Sequence, residues 1–105
     1  MRKGLSEWGR YSDPGVLILS SLANGPKHGY AMMEDIFTFS GTRLEPGTLY
    51  GALTRLERRG WVEALPSDSR RRPYRITPEG LQALQDHLQT MQRIVATGLS
   101  RLARV

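Results

Sequence analysis

The spacing of apolar residues changes twice along this chain, and these two changes restrict its fold more than any other feature. Apolar residues recur at helical spacing up to residue 60, alternate with polar residues over positions 61–77, and return to helical spacing from residue 78. Spacing of three and four is typical of amphipathic helices, and alternation is typical of half-buried strands. The sequence therefore predicts a mainly α-helical fold with one small β-hairpin.

Three helices are predicted before the hairpin. The first starts at Asp13 and Pro14, a capping residue followed by a proline at the first helical position, and stops at residues 24–26 (NGP). The second runs over about residues 28–39, and the third begins around Pro46 and ends before Gly60. The apolar face predicted for the second helix consists of Tyr30, Met33, Ile36 and Phe37.

The third helix is predicted to bury one face and to present a small, basic surface on the other. Its buried stripe is Leu49, Ala52, Leu53 and Leu56. A helix that enters the major groove of DNA needs short residues near its N-terminus, so that the backbone can approach base edges, and cations that reach phosphates. The outward residues have these properties, and we expect them to contact DNA: Gly47, Thr48, Tyr50, Gly51, Thr54, Arg55 and Arg58.

Positive charge is concentrated in the middle third of the chain. The net charge is +5, and residues 46–75 hold seven arginines against three acidic residues, whereas residues 1–45 hold five basic and five acidic residues. A basic surface is typical of proteins that bind nucleic acid. The strands predicted at residues 61–65 and 73–77 are joined by a polar tip, and we expect its arginines to follow the DNA backbone or minor groove. These are Arg70, Arg71 and Arg72.

The segment after Pro78 reads as one long helix with an apolar stripe, and such a stripe pairs with another helix. Its members are Leu81, Leu84, Leu88, Met91 and Val95. We expect this helix to hold a homodimer, which would present two recognition helices to a pseudo-palindromic operator in double-stranded DNA. The predicted organisation is an N-terminal arm (residues 1–12), a winged helix-turn-helix domain (13–77) and a C-terminal dimerisation helix (78–105).

Catalysis and metal binding are not predicted. The chain has no cysteine, and its histidines, His28 and His87, have no acidic or histidine partner at ligand spacing. The adjacent Glu34 and Asp35 point in different directions on a helix, so we interpret them as solvated. We therefore expect no enzyme activity, no metal and no cofactor. No apolar run is long enough to span a membrane, and the first residues do not resemble a secretory signal, so we expect a cytoplasmic protein.

The chain resembles the PadR-type transcriptional regulators in three ordered segments. They are residues 22–30 (LANGPKHGY), 46–60 (PGTLYGALTRLERRG) and 72–80 (RPYRITPEG). The resemblance implies a ligand-responsive repressor that acts as a dimer, of the shorter form with a single C-terminal helix. It also implies that Tyr50 and its neighbours contact DNA and that the hairpin is the wing.

Two interpretations from different classes remain open on these patterns. The first is a sequence-specific DNA-binding regulator, and the second is a winged helix that serves as a protein-interaction or assembly module. The small and basic outer face of the third helix favours DNA. The role of Trp8, in the predicted arm, stays open between covering a dimer partner and lining an effector cavity.

Overall fold

The computed structural model describes residues 13–104, which form four helices and one two-stranded antiparallel sheet. The predicted arm at residues 1–12, with Trp8, lies outside the described residues. The mainly α-helical fold with one hairpin is confirmed, and each predicted element is present. The elements are α1 (Pro14–Leu22), α2 (Gly29–Ser40), α3 (Pro46–Arg58), β1 (Val62–Ala64), β2 (Tyr74–Ile76) and α4 (Pro78–Leu102).

The helix ends follow from capping chemistry. The Asp13 carboxylate accepts a hydrogen bond from the Gly15 amide at 2.8 Å, and Pro14 occupies the first turn of α1, where its missing N–H costs nothing. At the other ends of α2 and α3, Gly41 and Gly60 have φ values of +75° and +79°, in the left-handed region that side chains with a Cβ rarely adopt.

The core lies between α1, α2 and α3. Its most deeply buried apolar side chains are Ile18, Leu22, Met32, Ile36, Leu49 and Leu53. The predicted buried stripe of α3 is confirmed, because Leu49, Ala52, Leu53 and Leu56 are all buried. α3 therefore has one face fixed against the core and the opposite face free for contact with a partner.

The apolar face predicted for α2 is wrong in part. Gly29, Met32 and Ile36 face the core, whereas Tyr30 is 65% exposed and Phe37 is 42% exposed. Met32 and Ile36 lie on one face because they are four residues apart, and Gly29 extends that face toward α3. Phe37 is partly covered by the guanidinium of Arg43, which lies 4.1 Å from the ring centroid.

The hairpin is anchored to the helices by one residue of the α1–α2 connection. Within the hairpin, Val62 pairs with Ile76 and Ala64 with Tyr74. The Lys27 amide donates to the Tyr74 carbonyl at 3.1 Å, and the Tyr74 amide donates back to Lys27 at 2.9 Å. Lys27 thus forms an isolated β-bridge with Tyr74, which ties the wing to the helices.

The Lys27 side chain connects α1 to α2 through Asp35. The interpretation of Asp35 as a solvated residue is therefore wrong. The Ser21 hydroxyl donates to the Asp35 carboxylate at 2.7 Å, and the Lys27 ammonium lies 4.0 Å from the same carboxylate. The ammonium also donates to the Ser21 carbonyl and to Asn24. Asp35 is therefore part of a polar network between helices, while Glu34 makes no side-chain hydrogen bond or ion pair within residues 13–104.

The first turns of α4 belong to the core, whereas the rest of the helix is in solvent. Thr77 caps α4, accepting from the Gly80 amide at 3.0 Å and donating to the Gly60 carbonyl at 2.6 Å. Leu84 is only 6% exposed and packs in the core of its own chain, so it has little surface left for an interface between chains. The reason is that α4 packs against α1 and β2 over these first turns, so an inward residue there is covered.

Beyond Leu84, every described residue of α4 is exposed. α4 continues through Gly98 to Leu102, although glycine has a lower helix propensity than most residues. None of the helices in residues 13–104 is both long enough and apolar enough to cross a membrane.

Candidate nucleic-acid interface

The outward face of α3 has the small residues that a groove-binding helix needs. Gly47 and Thr48 are exposed in the first turn, and an added Cβ at Gly47 would meet no other atom within 4 Å. Gly51, one turn later, is half-buried, and the nearest atom to an added Cβ there is Arg55 Nη1 at 3.8 Å. The backbone of these two turns is therefore accessible to another molecule.

The polar residues further along the same face are also exposed. Arg55 and Arg58 lie in the last turns of α3. Thr54 is exposed as well, but its hydroxyl donates to the Tyr50 carbonyl at 2.9 Å. A contact from Thr54 to DNA would therefore use its methyl group or the lone pairs of its hydroxyl oxygen.

Tyr50 is held against the start of α2. Its hydroxyl lies so close to Gly29 that a Cβ at residue 29 would overlap it, and the same Cβ would lie 3.2 Å from Leu49 Cδ2. Tyr50 nevertheless remains 47% exposed, and its hydroxyl makes no hydrogen bond within residues 13–104. Gly29 thus allows the ring to pack while the hydroxyl stays available to a ligand.

The wing tip is shaped by short serine contacts and carries three exposed arginines. The Ser69 hydroxyl donates to the Arg71 carbonyl and accepts from the Arg71 amide, both at 3.2 Å. Within the described part of the chain, no carboxylate lies within 4.0 Å of the guanidinium groups of Arg70, Arg71 and Arg72. Their charge is therefore available to an anionic partner.

Tyr50 and the wing arginines meet around one groove of about 220 Å³. The prediction from sequence treated α3 and the wing as separate contacts, and it did not include the other side chains of this groove. Those residues are His28, Gly29, Tyr30 and Tyr74. Tyr30 has the helical spacing of the apolar face predicted for α2, and Tyr74 lies in the second predicted strand. We name the whole set the Tyr50 groove.

The electrostatics of the Tyr50 groove favour an anion. Burial raises the pKa of the Tyr74 hydroxyl, Glu57 and Tyr50 raise it further, and Arg72 opposes the shift. Tyr74 therefore stays neutral at physiological pH and can donate a hydrogen bond. Three phenols and three guanidinium groups around one groove provide donors for hydrogen bonds to phosphate oxygens.

Arg55 and Arg58 do not line the Tyr50 groove. Arg55 instead lines a second cavity, between α1, α3 and α4, together with Arg59 and Trp61.

Four of the residues predicted to form the dimer interface are exposed along α4: Leu81, Leu88, Met91 and Val95. Residues 13–104 contain no cluster of three histidine or acidic side chains suited to a metal ion.

Comparison with known proteins agrees with this geometry. Residues 18–86 match the family model described as the transcriptional regulator PadR-like family. The chain is 38% identical over 92 residues to Transcriptional regulator Rv3488 of Mycobacterium tuberculosis (strain ATCC 25618 / H37Rv), a match that covers 82% of this chain and 85% of that protein.

Two further similarities complete the comparison. An uncharacterised 37.1 kDa protein in transposon TN4556 of Streptomyces fradiae is 45% identical over 85 residues, which is 81% of this chain but only 25% of that protein. The crystal structure of a PadR family transcription regulator from Clostridium difficile R20291 superimposes with a TM-score of 0.76 at 28% identity, and the match covers 85% of this chain and 97% of that one. The chain thus spans about a quarter of the transposon protein but nearly the whole of the other two.

Proposed function

This chain belongs to the transcriptional regulator PadR-like family, and on that premise we propose that it is a homodimeric, ligand-responsive repressor that binds a pseudo-palindromic operator. Membership of this family makes the chain a DNA-binding transcriptional regulator and not an enzyme. The repressor role, the response to a ligand, the dimer and the residues that contact DNA are proposals. Separate features of the molecule support the dimer and the DNA contacts, and the repressor role follows the resemblance to the family.

The meeting of Tyr50 with the wing arginines around one groove carries the proposal. We propose that the first two turns of α3 enter the major groove, with Gly47, Thr48 and Gly51 nearest to the base edges. The Tyr50 hydroxyl then binds a backbone phosphate beside the wing. Arg70, Arg71 and Arg72 follow the adjacent backbone or minor groove.

Further along α3, we propose that Thr54, Arg55 and Arg58 contact the same duplex. Arginine can bind two phosphate oxygens or the edge of a guanine with its planar group, and both residues are exposed on the side of α3 that faces away from the core. Residues 46–75, which include this surface and the wing, hold seven arginines against three acidic residues.

The exposed part of α4 supports a homodimer. Leu81, Leu88, Met91 and Val95 form an apolar stripe, which Leu99 and Leu102 continue, and within residues 13–104 no other element covers it beyond Leu84. Neutral glutamines flank the stripe at positions 85, 89 and 92. An apolar patch of this kind marks an interface, and two-fold pairing is the commonest way to close it. Residues 13–77 would then be the DNA-binding domain and 78–105 the pairing helix.

Footprinting on the DNA upstream of the protein's own gene tests the proposed function. We expect protection of a discrete site that binds at least about 10³-fold more tightly than random duplex at the same salt. Replacing Arg58 by alanine should weaken binding about tenfold, because hydrogen bonds to charged groups are lost. Arg93→Ala removes the same charge from the exposed surface of α4 and is the matched control. Equal affinity for the upstream site and random duplex would contradict sequence-specific regulation.

A further inference from the structure

The tip of the wing, residues 66–72, is exposed at every position. The Leu65 amide donates to the Pro73 carbonyl at 2.8 Å and closes the loop at its base, while the hydrogen bonds within the tip join residues only two positions apart. Such a segment has few contacts to lose when another protein draws it into an extended shape. The active site of a modifying enzyme can therefore reach the tip while the domain stays folded.

Ser69 is the hydroxyl next to the arginines of the tip, and its own hydrogen bonds are long. It donates to the Arg71 carbonyl at 3.2 Å and lies 3.3 Å from the Ser67 hydroxyl. Both distances exceed the value of about 2.7–2.8 Å that is typical between two hydrogen-bonded oxygens. The Ser69 oxygen is therefore accessible and only weakly held, as an acceptor of a phosphoryl group must be.

The charge of the tip favours a phosphate at Ser69. Three arginines follow this serine directly, and Asp68 is the single acidic residue of the tip. The Arg71 amide already donates to the Ser69 oxygen at 3.2 Å. Phosphoserine carries a charge of about −1.5 to −2 at pH 7 and three acceptor oxygens, which pair well with guanidinium groups. The modified tip would be close to neutral, with its arginines paired within the chain.

We propose that Ser69 is a phosphorylation site for a protein kinase whose substrate groove is acidic and accepts the arginines. The Ser69 Oγ attacks the γ-phosphorus of a nucleoside triphosphate, the bond from this phosphorus to the β–γ bridging oxygen breaks, and the nucleoside diphosphate leaves. The hydroxyl proton passes to a carboxylate of the kinase. The product is a phosphate monoester of Ser69, and nothing is oxidised or reduced.

The effect of this phosphate on DNA binding rests on the proposed function, in which Arg70, Arg71 and Arg72 follow the DNA backbone. The phosphate on Ser69 occupies guanidinium groups that would otherwise neutralise DNA phosphates, and its own charge repels the duplex. Phosphorylation therefore releases the wing from the operator. Bound operator in turn covers the tip and should slow its modification.

Labelling of the full chain tests the site itself. An extract of the host cells, supplied with ATP that carries a radioactive γ-phosphate, should label the wild-type chain, and mass spectrometry should locate the phosphate on Ser69. Ser69→Ala should lose this label, because the attacking oxygen is absent. Ser100→Ala removes another exposed hydroxyl, near the end of α4, and should keep the label. The absence of phosphate from Ser69 would overturn the inference.

The effect on DNA is a separate measurement, made on the full chain with phosphoserine encoded genetically at position 69. Operator affinity should fall at least about tenfold, and the plot of log affinity against log salt should flatten by about 2–3 units, because phosphate contacts of the wing are lost. Phosphoserine encoded at position 100 adds the same charge away from the wing and should leave the slope unchanged. Ser69→Ala keeps the arginines and should bind the operator as the wild type does.

The outcomes separate this inference from the proposed function. Unchanged affinity and slope with phosphate on Ser69 would overturn the release of the wing, while the unmodified chain would still select its operator. A chain that is labelled on Ser69 but selects no operator when unmodified would contradict the proposed function, and the phosphorylation site would stand.

Discussion

Tyr50 combines a packing contact with an available hydroxyl, and one substitution separates the two. Tyr50→Phe keeps the ring against Gly29 and deletes the group proposed to bind phosphate. We expect operator affinity to fall about fivefold, as for the loss of one hydrogen bond, with little change in thermal unfolding. Fluorescence anisotropy and a melting curve on the same preparation check this. A lower melting temperature with unchanged affinity per folded molecule would make Tyr50 a structural residue only.

Gly29 is predicted to be as important for DNA binding as Tyr50, because it leaves room for the tyrosine ring. A methyl group at residue 29 would overlap the Tyr50 hydroxyl and crowd Leu49, so Gly29→Ala must displace the tyrosine ring. We expect a loss of about 1–3 kcal/mol in the free energy of unfolding, together with weaker DNA binding.

The matched control for Gly29→Ala is the double variant with Tyr50→Ala, in which the overlap is absent. Denaturant unfolding should then show that the alanine at residue 29 costs much less than it does beside tyrosine, which is a favourable coupling in a double-mutant cycle. Additive effects of the two substitutions would show that the two residues do not interact.

The three arginines of the wing are predicted to contribute part of the affinity for DNA. If its three arginines each neutralise a phosphate, replacing Arg70, Arg71 and Arg72 by alanine should flatten the plot of log affinity against log salt by up to about 3 units. The matched control removes the same charge from the C-terminal end of the chain by changing Arg93, Arg101 and Arg104 to alanine, and its slope should equal that of the wild type. If both triple variants lose the same slope, only net charge matters and the wing is not in the interface.

The positions of the helices and strands were predictable from the sequence, because apolar spacing and capping residues indicate them. The stripe of α3 was identifiable because leucines at helical spacing alternate with residues too small or too polar for a core. The face of α2 was not, because Tyr30 and Phe37 have helical spacing as Met32 and Ile36 do, and aromatic side chains occupy the rim of a core as readily as its centre.

Contacts between distant residues could not be predicted. The pairing of Lys27 with Tyr74 involves one residue on each side and has no periodic signal, yet it positions the wing. The Tyr50 groove depends on that pairing, since it brings Tyr74 and the arginines next to α2. The burial of Leu84 is a similar case. Its spacing predicted the correct face of α4, but it did not predict that this part of the face packs against the core of the same chain.

At the scale of the whole molecule, α4 is an extended helix whose outer half has no partner among the described residues. Leu88 is 42% exposed at the centre of the apolar stripe, so Leu88→Glu should leave each chain folded but place like charges opposite each other in a dimer. Sedimentation should then detect monomers, and operator affinity should fall toward the nonspecific level. Thr90→Glu adds the same charge at an exposed position away from the stripe and should remain dimeric. A dimeric Leu88→Glu variant with normal operator binding would exclude α4 as the pairing element.

Selection of binding sites from random duplex DNA by the full chain tests the central claim most directly, because the protein itself picks out its operator from all sequences. Two copies of α3 held by a two-fold dimer should enrich an inverted repeat, with half-site centres about 10–10.5 base pairs apart or a multiple of that distance. Enrichment of an inverted repeat by the wild-type chain, and its loss with Leu88→Glu, is the predicted result. Failure to enrich any sequence at low salt would contradict the account and favour a winged helix that binds other proteins.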